Sequence, residues 1–388
     1  MTKNRLALAA LVLAAFNLRT PLTSVPTVLS DIRAATGFSE VTMGALTTLP
    51  ILCMGLLAFL VPGIAARVGA ARTVWLGLGI LILAPGLRLF ADVPALLFAS
   101  VLLSGIGIAM VGGLVPGIVK EQLPGDIGMV TGLWTSVMSG GAALGAAITV
   151  PLASWLGSWK LGLAAWAIPA AVAWVVWAIV EKPHRIPHTQ SSSPSIRDLP
   201  WTDPIAWALT VFIAANSFGF YSGVAWLAES FSAHGVSQTQ SGLLLGLFTA
   251  SGIVAALVCP PMLQRSKRPV TLLMVMVALT ALSLFGLAFL PTTGTALWVA
   301  GFGGFNTGWF AMGLAMIGWL THDGAGSSRL TAMVYTLVYL FACIGPVFCG
   351  WLLHATNSWS LLFGLLGAIC LGPFLMVPRL VRRMQELA

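Results

Sequence analysis

Arg19 is the residue on which any chemistry of this chain turns. It stands in Ala14-Ala15-Phe16-Asn17-Leu18-Arg19-Thr20-Pro21, a permanently charged guanidinium inside an otherwise apolar run. A charge at the centre of such a run costs about 2.5 kcal/mol or more on membrane-insertion scales, so such residues face a polar cavity, a partner or a substrate. A guanidinium presents forked donors that suit a small planar or carboxylate-like anion. The expectation is therefore that Arg19 faces a central pathway and binds an anion. The competing reading is a structural arginine bonded to backbone carbonyls exposed by Pro21.

Arg88 is the candidate companion. Arg19 lies 14 residues past Arg5 and Arg88 lies 16 past Arg72, about 21 Å and about 24 Å along helices rising 1.5 Å per residue. The spacing predicts similar depth for the two guanidiniums. Asp92, four residues beyond Arg88, offers that arginine a different fate, an ion pair with the side chain snorkelling outward. Asn17, Asn216, Tyr221, Asn306, Tyr335 and Tyr339 are candidate neutral donors and walls of a substrate site, and all three tyrosines of the chain are in this set. Trp226 and Trp309 are further candidate walls. Ordinary helix-to-helix hydrogen bonds for the amides and interfacial anchoring for the Trp residues are the plainer readings. Trp134 reads as packing. Lys120, Glu121 and Asp126 form either a solvated loop or the salt-bridge cluster of an inner gate, and the gate is preferred.

What is missing also narrows the chemistry. Of eleven acidic residues none falls at mid-membrane; Glu229 and Asp92 lie near outer ends, as His322 and His354 lie near helix ends. A pump exchanging cationic drugs for protons needs an intramembrane carboxylate that can titrate. No cluster of His, Asp, Glu or Cys stands at catalytic spacing, so the chain does not read as an enzyme, and no metal or cofactor is implied. The five cysteines (Cys53, Cys259, Cys343, Cys349, Cys370) show no metal-ligand spacing and read as small packing residues.

The elements that must carry these residues are set by composition. The chain is 58% hydrophobic and 8% charged, with mean hydropathy +0.96, more apolar surface than one soluble core hides. It reads as an all-α polytopic membrane protein with twelve spans of about 20 apolar residues or more: 5–30, 41–66, 72–91, 94–120, 128–153, 160–181, 204–231, 237–263, 269–290, 294–320, 329–354 and 359–380. Met1 to Phe16 resembles a signal sequence, but the apolar run continues past Arg19 to Leu29 and is kept as a span. Cytoplasmic termini put Lys3, Arg5, Arg67, Arg72, Lys120, Lys182, Arg185, Arg197, Arg265, Lys267, Arg268, Arg329, Arg379, Arg382 and Arg383 inside, against Arg33 and Lys160 outside. That is the positive-inside pattern. The net charge of +8 is thus a topology signal, and no nucleic-acid partner is expected.

The stretch 182–203 is polar, rich in Ser and Pro, and reads as a cytoplasmic linker between an N-terminal half, 1–181, and a C-terminal half, 204–388. The halves repeat. Gly37, Ser39, Gly44 and Leu46 recur as Gly235, Ser237, Gly242 and Leu244, and Pro62 and Arg67 as Pro260 and Arg265, all at an offset of 198. Thr131, Gly145 and Ser158-Trp159 recur as Thr331, Gly345 and Ser358-Trp359 at an offset of 200. Two parallel six-helix repeats joined by a linker are the architecture of major facilitator transporters, whose binding site lies between the halves near the midplane.

Specific residues extend the likeness. Asn17-Leu18-Arg19 with Ser24-Val25-Pro26, Gly86-Leu87-Arg88, Pro116-Gly117-Ile118-Val119-Lys120, Thr131-Gly132-Leu133-Trp134, the glycine-rich run from Ser139 to Ala147 with Val150-Pro151, and Ala225-Trp226-Leu227 together resemble the cyanate and 2-nitroimidazole transporter-like (CynX/NimT) family of that superfamily over nearly the whole chain. The departures are Ala228 where the family tends to have proline, Tyr335 where it has glutamine, and Ala66 before Arg67 where the superfamily loop has an Asp-Arg pair. The resemblance implies that helices 1, 4, 7 and 10 line a cavity. It also implies a secondary transporter in the bacterial inner membrane, moving a small anionic or polar solute (cyanate-like, nitro-aromatic or carboxylate-like) by alternating access, with a proton or counter-anion open as coupling partner and a monomer as the default. A multisubstrate drug exporter with a structural Arg19 is the alternative.

Overall fold

The computed structural model describes residues 2–57, 60–114, 127–180, 199–321 and 324–387, and all regular structure among them is helical. Twelve long helices follow in order: α1 (Leu6–Thr36), α2 (Glu40–Leu57), α3 (Ala70–Phe90), α4 (Pro94–Gly112), α5 (Leu133–Trp155), α6 (Trp159–Val180), α7 (Pro204–Ala233), α8 (Gln238–Arg265), α9 (Pro269–Phe289), α10 (Thr295–Trp319), α11 (Arg329–Thr356) and α12 (Trp359–Glu386). Each overlaps one expected span. Eleven are long and apolar enough to cross a bilayer. The exception is α10, which at 25 residues and about 1.5 Å per residue is long enough, but whose glycines, Asn306 and three Trp residues dilute its hydropathy. Such a composition suits a helix packed among others.

Boundaries shift where the backbone changes type. In α1 the α-helix gives way to a 3-10 turn at Val25–Val28 and resumes at Leu29–Thr36, because Pro21 and Pro26 each remove a backbone donor. It therefore runs six residues past the expected end at 30. Gly37 stops it with φ 68°, a left-handed conformation that glycine adopts without cost. In α12 a 3-10 turn at Gly372–Met376 leads into a helix, Val377–Leu387, that buries Val377, Leu380 and Val381 and exposes Arg379, Arg382 and Arg383.

The helices pack as two six-helix halves with matching neighbours. Within the first half α1 packs on α5, α2 on α4 and α3 on α6; within the second α7 packs on α11, α8 on α10 and α9 on α12. The repeat reaches the caps: Ser39, Ser237, Ser158 and Ser358 all accept a bond from a nearby backbone N–H, the last three as N-caps. Gly157 and Asn357, 200 apart, are both left-handed, with φ 71° and 49°.

Two seams join the halves, α2 with α11 and α5 with α8. A methyl group on Gly44 of α2 would sit 2.6 Å from the Pro346 carbonyl oxygen of α11, and one on Gly242 of α8 would sit 2.7 Å from the Ala146 carbonyl oxygen of α5. Gly44 and Gly242 are related by the repeat offset of 198, and Ala146 and Pro346 by that of 200. One contact is thus built twice. In lipid no hydrophobic force drives helices together, and small residues that admit close backbone approach take its place. The five cysteines are buried and unpaired.

Candidate substrate site

Arg19 leaves α1 toward the second half. Its guanidinium carbon lies 5.6 Å from the ring centroid of Phe220 and 5.8 Å from that of Tyr221, both on α7. Tyr221 lies 6.2 Å from Tyr339 of α11, which lies 6.0 Å from Tyr335 one turn earlier on the same face. Phe220 meets Tyr221 edge-on at 5.3 Å and packs on Phe248 of α8 at 5.3 Å. The three tyrosines and the arginine therefore form one cluster between the halves. Behind Tyr335 and Tyr339 a narrow cleft between α7, α10 and α11 is lined by Ile213, Phe310, Leu314, Val334 and Val338, with room for about one water molecule.

No carboxylate pairs with Arg19 among the described residues; their ion pairs lie elsewhere. An aromatic face offsets about 0.5–2 kcal/mol for a cation, whereas removing an ion from water costs several kcal/mol. The rings therefore compensate only part of what the charge loses, and an anion would supply the rest.

Arg88 does not join this cluster. It is fully buried, and its guanidinium nitrogens reach Ser24 Oγ at 3.5 Å and the Pro21 carbonyl at 3.5 Å on α1, and Ser104 Oγ at 3.4 Å on α4. Similar depth was the expectation, but Ser24 lies roughly 140° around α1 from Arg19 at 3.6 residues per turn, so the two arginines meet different sides of that helix. The alternative pairing with Asp92 is not formed either. Asp92 bonds to Lys160 at the start of α6, because Arg88 turns inward between α1 and α4. It is Arg88, not Arg19, that takes the Pro21 carbonyl.

The amides tie helices together. Asn17 donates to the Leu13 carbonyl at 2.7 Å and to the Pro169 carbonyl of α6 at 3.2 Å, away from the second half. Asn216 donates to the Asn306 carbonyl at 2.7 Å and Asn306 returns a bond to the Asn216 carbonyl at 3.2 Å, a reciprocal staple between α7 and α10. Trp226 donates to the Pro346 carbonyl at 2.8 Å, Trp309 packs on Phe212 with centroids 5.3 Å apart, and Trp134 packs against an apolar cluster drawn mainly from the first half. Lys120, Glu121, Asp126 and His322 lie outside the described residues, as does most of the linker. Among the described residues no group of three or more His, Cys, Asp or Glu gathers to hold a metal.

Two features escaped sequence reasoning. Nothing in an apolar run marks Phe220 out from other phenylalanines; its one signal is adjacency to Tyr221. Arg33 pairs with Glu229 at 2.8 Å; the signal was that Arg33 is one of only two basic residues expected at that end.

The Major Facilitator Superfamily model matches residues 7–327. The uncharacterized transporter YycB of Bacillus subtilis (strain 168) is 32% identical over 91% of this chain and 88% of its own. The cyanate transport protein CynX of Escherichia coli (strain K12) is 31% identical over 88% of each chain. The 2-nitroimidazole transporter of the same organism is 29% identical over 92% of this chain and 91% of its own. A crystal structure of the nucleoside transporter NupG superposes with TM-score 0.77 at 14% identity, covering 97% of this chain and 99% of that one, which speaks for the fold alone. This chain belongs to the major facilitator superfamily, within its cyanate and 2-nitroimidazole transporter-like branch.

Proposed function

We propose that this protein is a secondary transporter of a small anionic or polar solute, cyanate-like, nitro-aromatic or carboxylate-like, that alternates access around Arg19. The observation that carries the reading is the guanidinium held between the halves against Phe220 and Tyr221 with no carboxylate partner among the described residues. A planar anion is the ligand this geometry favours: the fork supplies two parallel donors, and the tyrosine rings supply flat walls with hydroxyls at their rims. The names of two relatives, a cyanate transport protein and a 2-nitroimidazole transporter, support small solutes of this kind.

Alternating access is the natural work of two repeats that meet at two equivalent seams. The distribution of basic residues supports cytoplasmic termini and a place in the bacterial inner membrane. The test is uptake of labelled cyanate and of 2-nitroimidazole into proteoliposomes. Wild-type protein accumulates or exchanges one of these solutes and Arg19→Ala does not, while both reconstitute equally. Equal uptake by the variant would overturn the reading.

A further inference from the structure

At the end opposite the chain termini, charges that the substrate site does not use hold the halves together. Arg33 of α1 lies 2.8 Å from Glu229 of α7 and 3.4 Å from Glu40 of α2, and His354 of α11 lies 3.4 Å from Glu40. Gln238 of α8 donates to Asp31 of α1 at 2.6 Å. Two of these ion pairs cross between halves, Arg33 with Glu229 and His354 with Glu40. They differ in burial: the Glu229 side chain is 10% exposed and that of His354 is 65% exposed. Water screens the second, which leaves the first as the stronger tie.

That tie is unfinished. Glu229 Oε2 and Arg33 Nε are both buried without a hydrogen-bond partner. A desolvated carboxylate with one bare oxygen is expensive, and the neutral acid is far less so. Arg33 meanwhile has a second partner, Glu40, in its own half.

We propose that Glu229 is a proton-binding site whose occupancy releases this latch. A proton delivered by water at this end bonds to Oε2, the carboxylate becomes a neutral acid, and Arg33 falls back on Glu40. The link between α1 and α7 is then lost, and the proton leaves to water when the latch closes again. The remaining charges nearby do not replace this role. His354 is mostly exposed, and water screens its pair with Glu40. Asp31 is engaged by Gln238. His234 turns its ring Nδ1 to its own Ser230 carbonyl at 2.7 Å. The proposal rests on this cluster and not on any role of Arg19.

The test needs no substrate. Spin labels on Ala35→Cys and Ala233→Cys, both exposed positions at this end in opposite halves, report its width in the full-length protein in nanodiscs. The native cysteines are buried. The distance is short near about pH 7.5, and a long population grows on acidification by up to about tenfold per pH unit, the slope of one proton. Glu229→Gln gives the long population at both extremes, and so does Arg33→Gln, which cuts the same link from the other side. His354→Ala keeps the wild-type response. A Glu229→Gln protein that stays short or still responds to acid, or a His354→Ala protein that has lost the response, overturns the proposal.

Discussion

The guanidinium carbon of Arg19 on α1 lies 5.8 Å from the centroid of Tyr221 on α7, so a charge set between the halves with no carboxylate partner among the described residues rests on an aromatic face of the other half. That placement ties the charge to the relative position of α1 and α7. A motion separating the two helices would remove the ring from the cation, and a bound anion would take over part of the compensation.

A double-mutant cycle of Arg19→Met and Tyr221→Leu should return a coupling energy of about 0.5–2 kcal/mol, the range of a cation over an aromatic face. Unfolding of the purified protein measures it. Strict additivity would mean that the contact carries no energy.

Arg88 should behave as part of the fold. Arg88→Ala leaves a cavity between α1 and α4 and lowers stability by about 2–4 kcal/mol. Arg88→Met fills the volume without the buried charge and costs little or nothing. Neither should change the KM for solute by more than about twofold. A large rise in KM for Arg88→Met would place this arginine in the pathway.

Asn216→Ala and Asn306→Ala should each lower stability by about 1 kcal/mol, as interhelical hydrogen bonds in membranes do. The double variant should lose less than the sum, because each amide bonds the other's backbone. Thermal unfolding reads both effects.

Gly44→Val and Gly242→Val should have the same effect, since each forces a side chain onto a carbonyl of the opposite half. Both seams should open at the end opposite the termini, seen as a longer distance between spin labels on Ala35→Cys and Ala233→Cys. A response at only one glycine would contradict the equivalence of the two contacts.

Twelve spans are legible because their length and hydropathy are nearly sufficient to define them, and α10 remains legible despite its polar dilution because Pro, Gly and charge breaks frame it. The repeat is legible because left-handed turns and close crossings demand glycine, as at Gly37 with Gly235 and Gly44 with Gly242. Arg19 stands out because a charge in an apolar run is rare. Its neighbours do not, since Phe220 and Tyr339 come from helices about 200 and 320 residues away and no local pattern records which face of α1 meets them. Arg88 shows the same limit. Depth follows from counting residues, but direction depends on Pro21, Ser24 and Ser104 meeting around its side chain. The pairing of Arg33 with Glu229 is likewise created by the docking of two halves.

The most direct measurement is the thermal stability of purified wild-type and Arg19→Ala proteins with and without cyanate, short carboxylates and 2-nitroimidazole. A ligand at 100 times its Kd stabilises the folded state by about 2.7 kcal/mol. The wild-type midpoint should rise with at least one of these solutes, while Arg19→Ala should show no rise above its own ligand-free midpoint. An equal rise in the variant would contradict the claim that Arg19 holds the anion.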